Sequence, residues 1–170
     1  MSAEPLDPSV ALDQPLTEEE IRAFVGRKAD YYVEQWIRRD SMGANWAAFF
    51  LSGIWFPYRR MYRVTLIFFA AILADSVIEE VIDFPRQLSR LLAVVVAGIC
   101  CSFANRWYFH HATSKIREVR AQGLPAERYL DAVASRGGTS LFAGLGLFAL
   151  LLMAVIAAVM ATALALGKVE

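Results

Sequence analysis

The polarity pattern changes character along the chain. Up to about residue 40 apolar positions recur at helical spacing among charges, and beyond it they gather in blocks. Residues 141–166 run for 26 positions without a charge. As a helix that run would reach about 39 Å, more than the ~30 Å of a bilayer core. Residues 88–108 contain only Arg90 near their start and Arg106 near their end, both close enough to an interface to snorkel. Residues 64–82 include VTLIFFAAILA but are interrupted by Asp75, Glu79 and Glu80. These three stretches predict three transmembrane helices. Residues 45–58, NWAAFFLSGIWFPY, are as apolar but too few: fully helical, they would reach only about 21 Å. They predict a short re-entrant or interfacial hairpin within 41–63, with Gly53 permitting the turn.

The flanks read differently. Residues 1–16 hold three prolines and three acids but neither a basic nor an apolar leader region, which predicts a disordered acidic lead. In TEEE, Thr17 is an N-cap with Glu20 as its capping-box partner. The spacing of Ile21, Phe24, Val25, Tyr32, Trp36 and Ile37 then predicts one amphipathic helix over 17–40. Residues 110–138 predict a helical loop: the preceding helix continues to Gly123, and a second starts after Pro125 and ends at Arg136 before Gly137-Gly138. The fold class is therefore an all-α integral membrane protein. It has three spans within 64–166, the hairpin at 41–63, the amphipathic N-terminal helix and the helical loop.

Charge orients this arrangement, because Lys and Arg favour the cytoplasmic side. If 45–58 dips in and returns, 14 basic residues lie inside and only Arg86, Arg90 and Lys168 outside; if it crosses, the count becomes 9 against 8. The returning path is expected, with the N-terminus cytoplasmic and the C-terminus periplasmic. Composition agrees with a membrane location: 57% of residues are hydrophobic and the mean hydropathy is +0.41. Lys+Arg and Asp+Glu are equal at 17 each, so the basic excess that binds nucleic acid is missing. Cys100 and Cys101, adjacent in an apolar run, suit neither a disulfide framework nor a metal site.

Of 21 aromatic residues, nine lie between Trp46 and Phe69, and Phe103, Trp107, Tyr108 and Phe109 follow later. An aromatic belt at the headgroup level accounts for the composition. The order is more specific: NWAAFFLSGIWFPYRRMY, then ANRWYFHHA. These strings resemble the signature of an uncharacterised bacterial membrane-protein family, domain of unknown function 2628. Asn45, Trp46, Ala47, Ala48, Phe49 and Phe50 match its first block. Trp55, Tyr58, Arg59, Met61 and Tyr62 match the second, and Asn105, Trp107 and Tyr108 the third. With GRKADYYVEQW upstream, the similarity runs from about Phe24 to His111; Phe56-Pro57 and the acids around Glu79 stand outside the pattern. The resemblance implies a bacterial inner-membrane protein and brings no reaction with it.

Physically, Asn45 can cap a helix entering the membrane, and Arg59, Arg60 and Arg63 can hold its exit at the phosphate layer. The sharper reading has these arginines and Arg106 gripping an anionic lipid headgroup, with Trp46, Trp55 and Trp107 beside its chains; the plainer one is an anchored boundary. Asp75 is the costliest residue in an apolar span and needs protein, water or a partner. Glu79 lies one turn along and Arg90 across the connection, which predicts a polar cluster or, less plainly, a proton or cation relay. His110 and His111 point about 100° apart on a helix and cannot clamp one metal together. No catalytic motif, metal site or cofactor site is visible. In 141–166, Ala154, Ala157, Ala158, Ala161 and Ala165 form a small-residue stripe expected to contact another span or a second copy. The functional expectation is an accessory, scaffold or interaction protein whose partners are the bilayer, anionic headgroups and a membrane protein or another copy. The rivals are an oligomeric channel or transporter centred on Asp75, and a membrane enzyme using His110, His111, Glu118 or Asp131.

Overall fold

A computed structural model describes residues 14–38, 42–82 and 85–167, apart from the Arg86 side chain. The expected disordered lead thus lies, up to residue 13, outside the described residues. Among those described the chain is all-helical. In order, the helices are α1 (Glu18–Val25), α2 (Ala29–Val33) running into a π-helical turn (Glu34–Arg38), α3 (Trp46–Tyr58), α4 (Tyr62–Ile82), α5 (Arg86–Arg120), α6 (Ala126–Arg136) and α7 (Leu141–Ala165). They form two compact units, Met1–Gly43 with Asn105–Thr139 and Ala44–Ala104 with Ser140–Glu170.

In the first unit, α1 starts with the expected capping box: Glu20 N–H donates to the Thr17 hydroxyl, and the Glu20 carboxylate accepts from Thr17 N–H. The single helix expected over 17–40 is broken. Gly26 caps α1 at φ +62, and Lys28 is left-handed at φ +70, a backbone the α-helix cannot absorb. The break lets Ile21, Phe24 and Val25 of α1 and Tyr32 and Val33 of α2 all reach the same core. The C-terminal part of α5 faces that core with Tyr108, Ala112, Ile116 and Val119, spaced three and four apart. Val133 of α6 joins it. After α6, Gly137 passes so close that an added Cβ would lie 2.0 Å from the Phe24 carbonyl oxygen, and Gly138 N–H donates to that same oxygen at 2.6 Å.

In the second unit, α3 and α4 both pack on α7. The expected hairpin is a helix instead. The path bends at Leu51 (φ −129, ψ 29) without turning back, and the reversal comes later, at Arg60 with φ +59. Gly53 serves closeness, not a turn: a Cβ there would stand 2.8 Å from the Phe148 ring. Asn45 N–H donates to Cys101 O, and Ser140 N–H donates to Tyr58 O.

Among the described residues two helices, α5 and α7, are long and apolar enough to cross a membrane, not the three expected. Helix α4 forms over 21 residues but carries Arg63, Asp75, Glu79 and Glu80, which leaves it less apolar than either. Of the two contacts expected of the alanine stripe, with another span or with a second copy, the first is largely missing. Ala154, Ala157, Ala161 and Ala165 are exposed, because α7 turns its Gly144 and Phe148 face to α3 and α4.

Candidate functional site

The motif residues fall in both units. In Ala44–Ala104 with Ser140–Glu170, Asn45 Oδ1 accepts from Ala48 N–H at 2.9 Å and caps α3 as expected. Trp55 is buried with its ring 5.4 Å from Phe56, whereas Trp46 is exposed beside Phe49 and Phe50. Arg59 is buried, with its guanidinium 5.7 Å from the Tyr58 ring. Arg60 is half-buried, and Tyr62 and Arg63 are exposed at the α3–α4 turn. The arginines therefore divide between a buried position, Arg59, a half-buried one, Arg60, and an exposed one, Arg63.

In the other unit, Asn105 is fully buried. Its amide donates to Gly43 O at 2.8 Å, Gln35 Oε1 at 3.2 Å and Tyr31 Oη at 3.3 Å. Tyr108 is fully buried too, its ring 5.1 Å from Tyr32, 5.4 Å from Trp36 and 6.2 Å from Phe24. Arg106 is exposed and Trp107 half-buried. Asn105 and Tyr108 thus hold the N-terminal segment against α5 and do not face outward.

The strongest polar site was not among the candidates. Arg120 donates through Nε to Glu20 Oε1 at 2.8 Å and through Nη2 to Oε2 at 2.6 Å, and the Tyr129 hydroxyl donates to the same carboxylate. Burial works against the charged carboxylate, but the bonds from Arg120, Tyr129 and Thr17 outweigh it and hold the Glu20 pKa below its ordinary value. The Tyr129 hydroxyl is pushed up to about 12 by burial and by the Glu20 carboxylate it bonds. Thr17 and Glu20 were legible as a capping box. Nothing in the spacing points across one hundred residues to Arg120.

The expected Asp75–Glu79–Arg90 cluster is not formed as an ion pair among the described residues. Asp75 instead lines a cavity with residues of α3, α4, α5 and α7. His110 and Asp131 are exposed, His111 is half-buried, and Glu118 pairs with Lys115 at 2.8 Å. Among the described residues no group of three potential metal ligands occurs.

Fold and site together define an all-helical protein with two membrane-length apolar helices and a tightly bonded polar helical unit. A family model described as "Protein of unknown function (DUF2628)" matches residues 15–113, and the chain belongs to that family. No curated protein and no solved structure matches it.

Proposed function

We propose that this chain is a multi-pass bacterial inner-membrane protein that acts by binding, as an accessory, scaffold or interaction partner, and not by catalysis. The observation that carries the membrane reading is the solvent exposure of its most apolar helices. On α7, Phe142 is 92% exposed, Met153 69% and Leu150 65%. The core helix of a water-soluble protein buries such a surface, and lipid is the solvent that accepts it. The N-terminal segment lies on the same side as 105–139, because Glu20 and Arg120 are bonded within one unit, and the excess of Lys and Arg on that side makes it cytoplasmic. Helix α3 does not cross: one end is bonded at Cys101 and the other at Ser140, the two positions between which the chain leaves and re-enters the apolar helices. With α4 as a third, less apolar crossing beside α5 and α7, residues 105–139 return to the cytoplasmic side and the C-terminus is periplasmic. Binding is favoured over catalysis because Glu20, Asn105 and Asn45 spend their polar atoms on holding helices.

The test is a set of single cysteines at Glu19, Arg63, Glu118 and Lys168 in a Cys100→Ala, Cys101→Ala background, probed in intact cells and in inverted membrane vesicles. The first three should react from the cytoplasmic side and Lys168 from the other. Opposite sides for Glu19 and Arg63 would refute the topology, and release of the protein by alkaline carbonate would refute membrane integration. Transport is a second reading, favoured by the placement of Asp75 in a cavity. It requires ion flux in proteoliposomes that Asp75→Asn abolishes.

A further inference from the structure

The unit Ala44–Ala104 with Ser140–Glu170 encloses a partly open cavity of about 610 Å³, within the roughly 300–1,000 Å³ of small-molecule sites. All four helices of that unit contribute to its wall, and fifteen of the sixteen lining residues carry no charge. Five of them are Phe49, Phe50, Phe68, Phe69 and Phe148. Ring centroids are 4.8 Å apart for Phe49–Phe50, 5.8 Å for Phe68–Phe69 and 6.0 Å for Phe69–Phe148. The sixteenth residue is Asp75, in helical register with Phe68 and Ile72 of α4. The only other side-chain polar group in the lining, the Ser52 hydroxyl, is already donated to Ala48 O.

We propose that this cavity binds a lipophilic organic cation, with its apolar groups among the phenylalanines and its charge against Asp75. Three physical arguments converge on that class. A carboxylate at membrane depth calls for a partner, and the lining supplies neither Lys nor Arg. Aromatic rings attract cations through the negative potential of their faces, most of all where water is excluded. A bare or hydrated metal ion would need several oxygen ligands, and one carboxylate among hydrocarbon does not provide them. A neutral lipid chain would satisfy the walls but leave Asp75 uncompensated.

The experiment uses the full-length protein in a neutral maltoside detergent and two probes of nearly the same size and shape, tetraphenylphosphonium and tetraphenylborate. Equilibrium dialysis should show saturable binding of one phosphonium per chain, tighter than the borate by about tenfold or more, the scale of one desolvated charge contact with cation–π support. Asp75→Asn should erase that preference, Asp75→Glu should keep part of it, and Glu79→Gln should leave it intact. Ala97→Phe, which fills the cavity and leaves Asp75 in place, should abolish phosphonium binding, so the proposal stays testable if Asp75→Asn does not fold. Equal affinity for the two probes, no saturable binding, or a preference that survives Asp75→Asn would each overturn the proposal. So would a stoichiometric co-purified phospholipid that phosphonium does not displace, which would make the cavity an acyl-chain slot.

Discussion

Arg120 grips the Glu20 carboxylate with two hydrogen bonds, 2.6 and 2.8 Å long, from one hundred residues away. The two side chains are only 7% and 5% exposed. A charge pair this well removed from water stabilises only while both partners are present. Arg120→Met should therefore cost about 3–5 kcal/mol by stranding a buried carboxylate. Adding Glu20→Gln should recover part of that loss. A detergent melt followed by near-ultraviolet circular dichroism measures both; simple additivity of the two single losses would refute the coupling.

The same pair sets a pH window. Glu20 titrates below its ordinary carboxylate value, so its contribution is present above that value and is lost as pH falls through the lower, folded one. Tyr129 is shifted the other way. Its contribution is full below the ordinary value of 10.0 and is lost as pH rises towards about 12. Melting temperature against pH should fall at both ends in the wild type. In Tyr129→Phe the alkaline fall should shrink while the acid fall remains.

Asn105→Asp tests the donor role of the motif asparagine. The change replaces an amide donor with an acceptor facing Gly43 O and Gln35 Oε1, and should cost about 1–3 kcal/mol or more for the unsatisfied groups left behind. Asn105→Ala should cost less than Asn105→Asp. The reverse order in the melt would show that the side chain serves bulk and not hydrogen bonding.

Gly137→Ala should be among the most damaging single-methyl changes in the chain, because the new Cβ would meet the Phe24 carbonyl at 2.0 Å. Overpacking of this kind typically costs about 1–3 kcal/mol, and backbone cannot rotate aside as a side chain can. Gly98→Ala, with open space around it, is the matched control and should be silent or mildly stabilising. Limited proteolysis across residues 121–140 would read the difference.

Asn45→Ala should remove the α3 cap bond to Ala48 N–H at a cost of about 1 kcal/mol, and Asn45→Ser should restore most of it. Equal melts for the two substitutions would mean that the Asn45 N–H bond to Cys101 O, not the side chain, anchors that end of the helix.

What could be read without coordinates was whatever depends on near neighbours or on composition. The capping box at Thr17 and Glu20, the cap at Asn45, the helical loop ending at Gly137-Gly138 and the apolar runs of α5 and α7 all come from local spacing. The motif strings around Asn45 and Asn105 were enough to point to the family. Tertiary packing decided the rest, because its contacts join residues far apart in the chain. Gly26 breaks the N-terminal helix so that α1 and α2 both reach the Tyr108 core. Gly53 sits inside a helix, where its missing Cβ leaves room for the Phe148 ring. Asp75 lines a cavity with phenylalanines from several helices where a polar cluster with Glu79 and Arg90 was expected. The reach of Arg120 to Glu20 has no periodicity to betray it: a hydrogen bond between distant residues is specified by the folded path, and the linear pattern of polar and apolar positions carries no record of that path.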